Sequence, residues 1–374
     1  MVFMASEILE IPRVARQFPA SATARFLADM LDHRAWVGCV PWDLIQPAFM
    51  FMVGVALPFS LASRRARGQS FANMLGHSVV RALILIALGI FLRSQSRTQT
   101  YFTFEDVLTQ IGLGYVFLFL LAWTRPRIQA IAAAAILVVY WGAFALYPLP
   151  PTDFDRTTVG VRADWPHQLE GFAAHWNKNT NLAHHVDVWF LNLFPRERPF
   201  AYNGGGYLTL NFVPSLATMI FGLLAGGVLR STRSERDKVR QLVMWSVGGI
   251  ALGVLIHVLG ICPIVKRIWT PSWAIFSAGW VTLFLAGYYY VIDVKGFRRL
   301  TLPFVVVGMN SIAMYVIVHI ATDYTTHAFQ IHLGRRTFEI FGAVFAPILL
   351  GAAALGVFWL ILYWMHRNRV FIRI

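Results

Sequence analysis

Apolar runs about 20 residues long recur from one end of this chain to the other, the clearest being IQAIAAAAILVVYWGAFALY at 128–147. A helix needs roughly 20 such residues to cross the hydrocarbon core of a bilayer. Lipid offers no partner for a backbone N–H or C=O, so each run must satisfy its own backbone as a helix. Composition agrees, with 57% hydrophobic and 13% charged residues against about 25% charged in soluble domains. The expected fold is all-α, a polytopic membrane bundle of about nine helices. They are placed at 43–62, 77–92, 108–123, 128–147, 212–229, 241–259, 272–292, 301–320 and 341–364, the third being the weakest.

The net charge is +14, and the basic residues are segregated. ASRRARG follows the first span and TRPR separates the third and fourth. RSTRSERDKVR follows the fifth, KGFRR the seventh, and HRNRVFIRI closes the chain. These five segments hold about half of the 32 Lys and Arg and fall on one side if every span crosses. The positive-inside rule makes that side the cytoplasm. The charge therefore reads as topology, and no basic soluble module suited to nucleic acid is visible. The opposite side receives the long loop 148–211, within which NLAHHVDVWFLN reads as a short amphipathic helix at the interface. The expected divisions are an extramembrane segment 1–32, a transmembrane domain 33–366 and a cytoplasmic tail 367–374. No apolar run precedes residue 43, so either a short tail crosses with the first span or an upstream start supplies a further helix.

This topology sets polar residues at the outer mouths. His33, Trp36, Asp43 and Gln46 lie at the start of the first span. Asp43 and Gln46 are three apart and share a helix face. An aspartate at that depth needs a polar cavity or a partner, whereas Trp36 and Trp42 read as interface anchors. Glu105, Asp106 and Gln110 enter the third span, Asn211 starts the fifth and His257 ends the sixth. CPIVKRIWTPSW, with Lys266, Trp269, Thr270 and Ser272, leads into the seventh. His319 is expected near the outer end of the eighth, and Asn310, midway along it, needs a hydrogen-bond partner. On the inner side Asp293 is expected to pair with Lys295 or Arg298. VGVALPFSLA, the glycines 204–206 and GLLAGG at 222–227 read as close helix approaches or tight turns. Adjacent His184 and His185 and the cysteines Cys39 and Cys262 lack metal-ligand spacing, so no metal is expected. Separate thiols are the default, with a disulfide only if the two cysteine-bearing mouths adjoin.

HRAWVGCVPWDLIQPAFMFMVGVALPFSLASRR resembles the opening motif of the heparan-alpha-glucosaminide N-acetyltransferase family, His-Ala-x-Trp-x-Gly-Cys-Thr-x-x-Asp-Leu-x-x-Pro-x-Phe-x-Phe-x-Val-Gly. EDVLTQIGLGYVFLFLL, NFVPSLATMIFGLLAGGVLRS, KRIWTPSWAIFSAGW and VVVGMNSIAMYVI resemble further segments of that family in the same order, over about residues 28–365. Three departures stand out. The family's first helix is expected to be missing, with only ATARFLADMLD standing in its region; HRAW replaces His-Ala-x-Trp; and NGGGYLTLN replaces an Asp-Pro-Glu-Gly loop expected to touch the acceptor.

The resemblance implies a transmembrane acyltransferase of the bacterial inner membrane. It would move acetyl from cytoplasmic acetyl-CoA, the donor substrate, to the amino group of a periplasmic amino sugar or glycan. The family's active histidine maps onto His33. We expect His33 as general base, with Asp43 or Asp32 orienting it. Lys266, Asn211 or Trp269 would donate to the oxyanion. Transfer through an acetyl-imidazole on His33 is the alternative route. Trp36, Gln46, Asn310 and His319 are expected around substrate, and Arg64 and Arg65 near the nucleotide phosphates, their competing role being topology. Membrane lipids are the expected surroundings, nucleic acid is not expected, and a homodimer is compatible. The rival reading is a transporter or flippase of a sugar or amphiphile, although no inverted repeat stands out.

Overall fold

The computed structural model describes residues 8–372. Contacts divide the chain into two units. One comprises the described parts of Met1–His33, Val40–Ile45 and Val291–Ile374, the other Arg34–Cys39 and Gln46–Tyr290. Among the described residues the regular structure is helical, apart from one isolated antiparallel bridge, Val37 to Val265. In chain order the α-helices are α1 (Ile11–Ala15), α2 (Ala22–Met30), α3 (Ile45–Ala66), α4 (Phe71–Ser94), α5 (Val107–Leu121), α6 (Pro126–Ala145) and α7 (Leu182–Leu191). They continue with α8 (Phe212–Arg230), α9 (Glu235–Val258), α10 (Pro271–Tyr288), α11 (Leu302–Met309), α12 (Ser311–His332) and α13 (Ala346–Arg367).

Among the described residues, seven helical stretches are long and apolar enough to cross a membrane: Pro41–Ala66, Phe71–Ser94, Pro126–Ala145, Thr209–Arg230, Glu235–Val258, Pro271–Val294 and Ala343–Arg367. The third expected span is α5, with only 15 residues. At about 1.5 Å per residue it measures roughly 22 Å, short of the roughly 30 Å core. Its flanking turns extend it. Asp106, its N-cap, accepts from Arg93 Nε at 3.3 Å, and Trp123 packs edge-on against Phe71 with centroids 4.9 Å apart. Residues 106–123 therefore run antiparallel along nearly all of α4.

The eighth expected span, 301–320, is corrected by the structure. The chain leaves helical geometry at Asn310 (φ −129, ψ 40), and α11 and α12 form a pair bent by 82°. The cause lies in the side chain. Asn310 Nδ2 donates to Val370 O at 3.1 Å, while its Oδ1 accepts from Ile372 N at 3.0 Å. Buried Asn310 thus takes the C-terminal backbone as its partner, at the point where the helix breaks.

In the larger unit, α3 and α8 meet through glycines. A Cβ on Gly222 would lie 1.9 Å from Phe51 O, and one on Gly54 1.9 Å from Met219 O. Close approach of two backbones leaves room only for a hydrogen here, the usual way membrane helices gain packing. At one end of this unit the connections are short and basic: Arg65 stacks over Trp123 (4.0 Å), and Arg230 Nη1 donates to Pro58 O at 3.0 Å. The other end gathers 95–106, 146–211 and 259–270. Gln110 Nε2 donates to Leu208 O (3.3 Å), Tyr140 OH to Ile268 O (3.1 Å) and Asn211 Nδ2 to Arg267 O (2.7 Å).

In the smaller unit, Val306, Val307, Met314, Phe358 and Leu362 share one apolar core. The N-terminal segment packs on the start of α13, where Phe18 stacks on Phe345 (5.7 Å) and a Cβ on Gly351 would meet Ile8 O at 2.1 Å. Asp293 pairs with Arg298 at 3.9 Å, one of its two expected partners.

Candidate functional site

The sequence Val40-Pro41-Trp42-Asp43 builds a local turn. Pro41 opens a 3₁₀ turn, Pro41–Leu44, where its missing N–H costs nothing. Asp43, two residues on, reaches back so that Oδ2 accepts from Val40 N at 3.2 Å. Its other oxygen, Oδ1, lies 2.9 Å from His33 Nδ1. Trp42 Nε1 lies 3.2 Å from His33 Nε2. An indole N–H can only donate, so Nε2 must accept. The single proton of neutral His33 therefore sits on Nδ1 and points at Asp43. Asp43 is 1% exposed and His33 37% exposed, so the carboxylate is sealed behind an imidazole that solvent reaches. Asp32 engages the backbone instead: its Oδ1 accepts from His33 N at 2.7 Å, and its other oxygen pairs with Arg16.

Trp36, Asn211, Lys266 and Trp269 come together in the larger unit. Trp36 is 1% exposed, and its Nε1 donates to Trp176 O at 3.0 Å. Trp42 is also buried. Neither tryptophan is a lipid-facing anchor, because each ring is enclosed by protein. The loop before α10 is knotted by Trp269 N to Lys266 O (2.9 Å) and Thr270 N to Val265 O (3.1 Å). Buried Trp269 is held at φ +46, an unfavourable conformation for a bulky residue, and donates to Thr218 Oγ1 at 3.2 Å. Lys266 is 5% exposed. Arg267 closes the assembly, with Nη1 donating to Gly205 O (2.8 Å) and Nε to Arg34 O (3.2 Å). The expected oxyanion donors Asn211 and Trp269 thus hold the loop together in this state.

The remaining expected site residues are distributed. Gln46 is half-buried in the first turn of α3. Arg64, whose Nη1 donates to Gln69 Oε1 at 3.2 Å, and Arg65 stand at the short-loop end of the larger unit. His319 is exposed on α12, with Nδ1 2.8 Å from Tyr315 O. Among the described residues, neither Cys39 nor Cys262 is in a disulfide, and burial pushes Cys262 up to about 11. Among the described residues no cluster of His, Cys, Asp and Glu has metal-binding geometry.

Sequence reasoning missed the buried aspartate of the long loop, Asp187. α7 buries His184 and Asp187 on one face, three residues apart. Burial pushes Asp187 up to about 6 and His184 down to about 4, and lifts Glu105, which accepts from Asn203 Nδ2, to about 7. The readable signal was an aspartate among apolar residues in a short helix, VDVWF at 186–190.

These features define a polytopic helical membrane protein with a His-Asp pair on a short turn ahead of its first long apolar helix. No family profile matches the chain. It is a distant relative of heparan-alpha-glucosaminide N-acetyltransferase. The Mus musculus protein of that name is 24% identical over 330 residues, covering 78% of this chain and 49% of the relative. The Homo sapiens protein is 24% identical over 378 residues, covering 91% and 55%. The chain spans about half the length of these curated relatives.

Proposed function

We propose that the chain is a membrane acetyltransferase that moves an acetyl group from acetyl-CoA to the amino group of an amino sugar or glycan. The observation that carries this reading is the His33–Asp43 pair, 2.9 Å apart, with the proton of neutral His33 on Nδ1 and the lone pair on Nε2. The relatives' name, which specifies N-acetyl transfer to a glucosaminide, supports the same chemistry. A thioester is already activated, so the enzyme must remove the amine's proton and stabilise the oxyanion. The acceptor amine displaces the Trp42 N–H from Nε2, and the nitrogen attacks the thioester carbonyl carbon. Nε2 takes the amine proton while Asp43 stabilises the imidazolium. The C–S bond then breaks, and the CoA thiolate recovers the proton from His33. Basic Arg64 and Arg65 mark the cytoplasmic face, where the nucleotide phosphates of acetyl-CoA would be held; the acceptor would arrive from the periplasm.

The test uses membranes carrying wild type or His33→Ala, labelled acetyl-CoA and a panel of amino sugars. Labelled product from wild type alone supports the reading, and equal turnover in both overturns it. Label retained on the wild-type chain without acceptor assigns the acetyl-imidazole route. Charge reversal at Arg64 and Arg65 should raise the KM for acetyl-CoA.

A further inference from the structure

The N-acetyltransferase motif leaves the position before its aspartate unspecified, and this chain fills it with Trp42. The turn Pro41–Leu44 fixes that residue on both sides: Asp43 N donates to Val40 O at 2.9 Å, and Ile45 N donates to Trp42 O. Trp42 is 7% exposed, so its ring has little room to swing. Its Nε1 lies 3.2 Å from His33 Nε2, with the ring centroids 6.0 Å apart and the planes at 61°. Nε2 of the imidazole carries one lone pair, and the indole N–H is aimed at it. The His33 side chain is 37% exposed, so water reaches the imidazole. His33, Trp42 and Asp43 all belong to the smaller unit.

We infer that Trp42 is a specificity-determining residue that reserves His33 Nε2 for an amine and denies it to water. The inference rests on the acetyl-transfer reading and deepens it. A base that deprotonates an amine serves water as well. A water oxygen would attack the thioester carbonyl carbon while Nε2 takes its proton. The C–S bond would break, and the CoA thiolate would recover the proton from His33. Acetic acid would leave and release its own proton to solvent, so acetyl-CoA would be consumed without an acetylated sugar. Water and the indole N–H compete for the same lone pair, and only the indole is held in place by the chain. An amino sugar bound through its other groups also presents its amine from a fixed position, so it displaces the N–H where a free water does so less often. Trp42 takes no proton in this scheme and acts through His33 as a positioning residue.

The experiment uses the full chain in detergent and labelled acetyl-CoA. It measures acetate and CoA released with no acceptor present, and labelled product from a panel of amino sugars. Trp42→Phe keeps a buried ring and removes the N–H. We expect its acetate formation to rise roughly three- to tenfold over wild type, the equivalent of one net hydrogen bond, with KM for acetyl-CoA unchanged. Trp359→Phe removes the indole N–H that is donated to Pro303 O at 3.2 Å, and it should hydrolyse at the wild-type rate. His33→Ala/Trp42→Phe should fall to the rate of His33→Ala, because the added hydrolysis runs through His33. A ring that merely fills space would lower transfer and hydrolysis together when changed, and would raise neither. Acetate formation in Trp42→Phe no higher than in wild type, at the wild-type unfolding midpoint, overturns the inference. An equal rise in Trp359→Phe overturns it too, as does a rise that survives the loss of His33. If Trp42→Phe lowers the midpoint, Trp42→3-benzothienylalanine, which keeps the ring shape with sulfur in place of N–H, is held to the same outcomes. Absence of labelled sugar from wild type defeats the acetyl-transfer reading, whereas a flat acetate rate on removal of the N–H defeats the role of Trp42, so the two failures are told apart.

Discussion

Replacing Asp43 by Asn tests the tautomer logic of the site. The carboxylate's contacts include two that matter here: Oδ2 accepts from Val40 N at 3.2 Å, and Oδ1 faces His33 Nδ1 at 2.9 Å. Asparagine has only one accepting atom. A backbone N–H cannot change sign, so the amide oxygen must stay with Val40 and the NH₂ must turn toward His33. Nδ1 then becomes the acceptor and the ring proton moves to Nε2, opposite the indole N–H of Trp42, which is also a donor. The base lone pair disappears from the reactive nitrogen. Losing the hydrogen bond that stabilises the imidazolium is worth about 1.5–3 kcal/mol, roughly 10- to 160-fold at 1.36 kcal/mol per tenfold. Complete loss of general-base function would cost up to about 10⁴-fold. We expect kcat for acetyl transfer to fall by about 10²–10⁴, with KM for acetyl-CoA little changed. The assay is product formation across a pH series, paired with the unfolding midpoint in detergent. A variant that folds like wild type and keeps kcat within about threefold would refute the reasoning.

Other perturbations probe the scaffold. In Gly222→Ala the new Cβ would meet Phe51 O at 1.9 Å, whereas ordinary contact begins at 3.4 Å, so α3 and α8 must part by about 1.5 Å. Overpacking of this kind costs about 1–3 kcal/mol and should lower the thermal midpoint, while Gly227→Ala, with nothing within 4 Å, should not. Glu105 is lifted from 4.5 to about 7, so the folded state keeps a proton that the unfolded state releases. Its contribution to stability is full below pH 4.5 and is lost as pH rises through 7, and Glu105→Gln should remove that component from midpoint-against-pH data. Asn310→Ala removes both bonds to the C-terminal backbone, and hydrogen exchange at Ile372 should rise at least tenfold.

The class of fold was legible because lipid leaves a 20-residue apolar run no choice but a helix. Gly222 and Gly226 of α8 were legible as close-packing positions, and their carbonyl neighbours Phe51 O and Val55 O bear this out, whereas Gly227 of the same run has nothing within 4 Å. His33 and Asp43 could be named as a pair because a single motif holds both within ten residues, and the turn that joins them is set by Pro41. Less could be read where an interaction joins distant segments. Hydropathy runs unbroken through Asn310, so only the Val370 and Ile372 backbone, 60 and 62 residues away, shows why the helix bends there. Trp42 has the composition of an interface anchor, and only its position beside Nε2 makes it a hydrogen-bond donor to the histidine. Local sequence determined which segments enter the membrane and which turn pairs His33 with Asp43, because both depend on neighbours along the chain. The proton's place on His33 depends on the direction of the nearby Trp42 indole N–H, which sequence patterning does not give. The break at Asn310 was decided by tertiary structure alone, since it depends on backbone groups of Val370 and Ile372, 60 and 62 residues away.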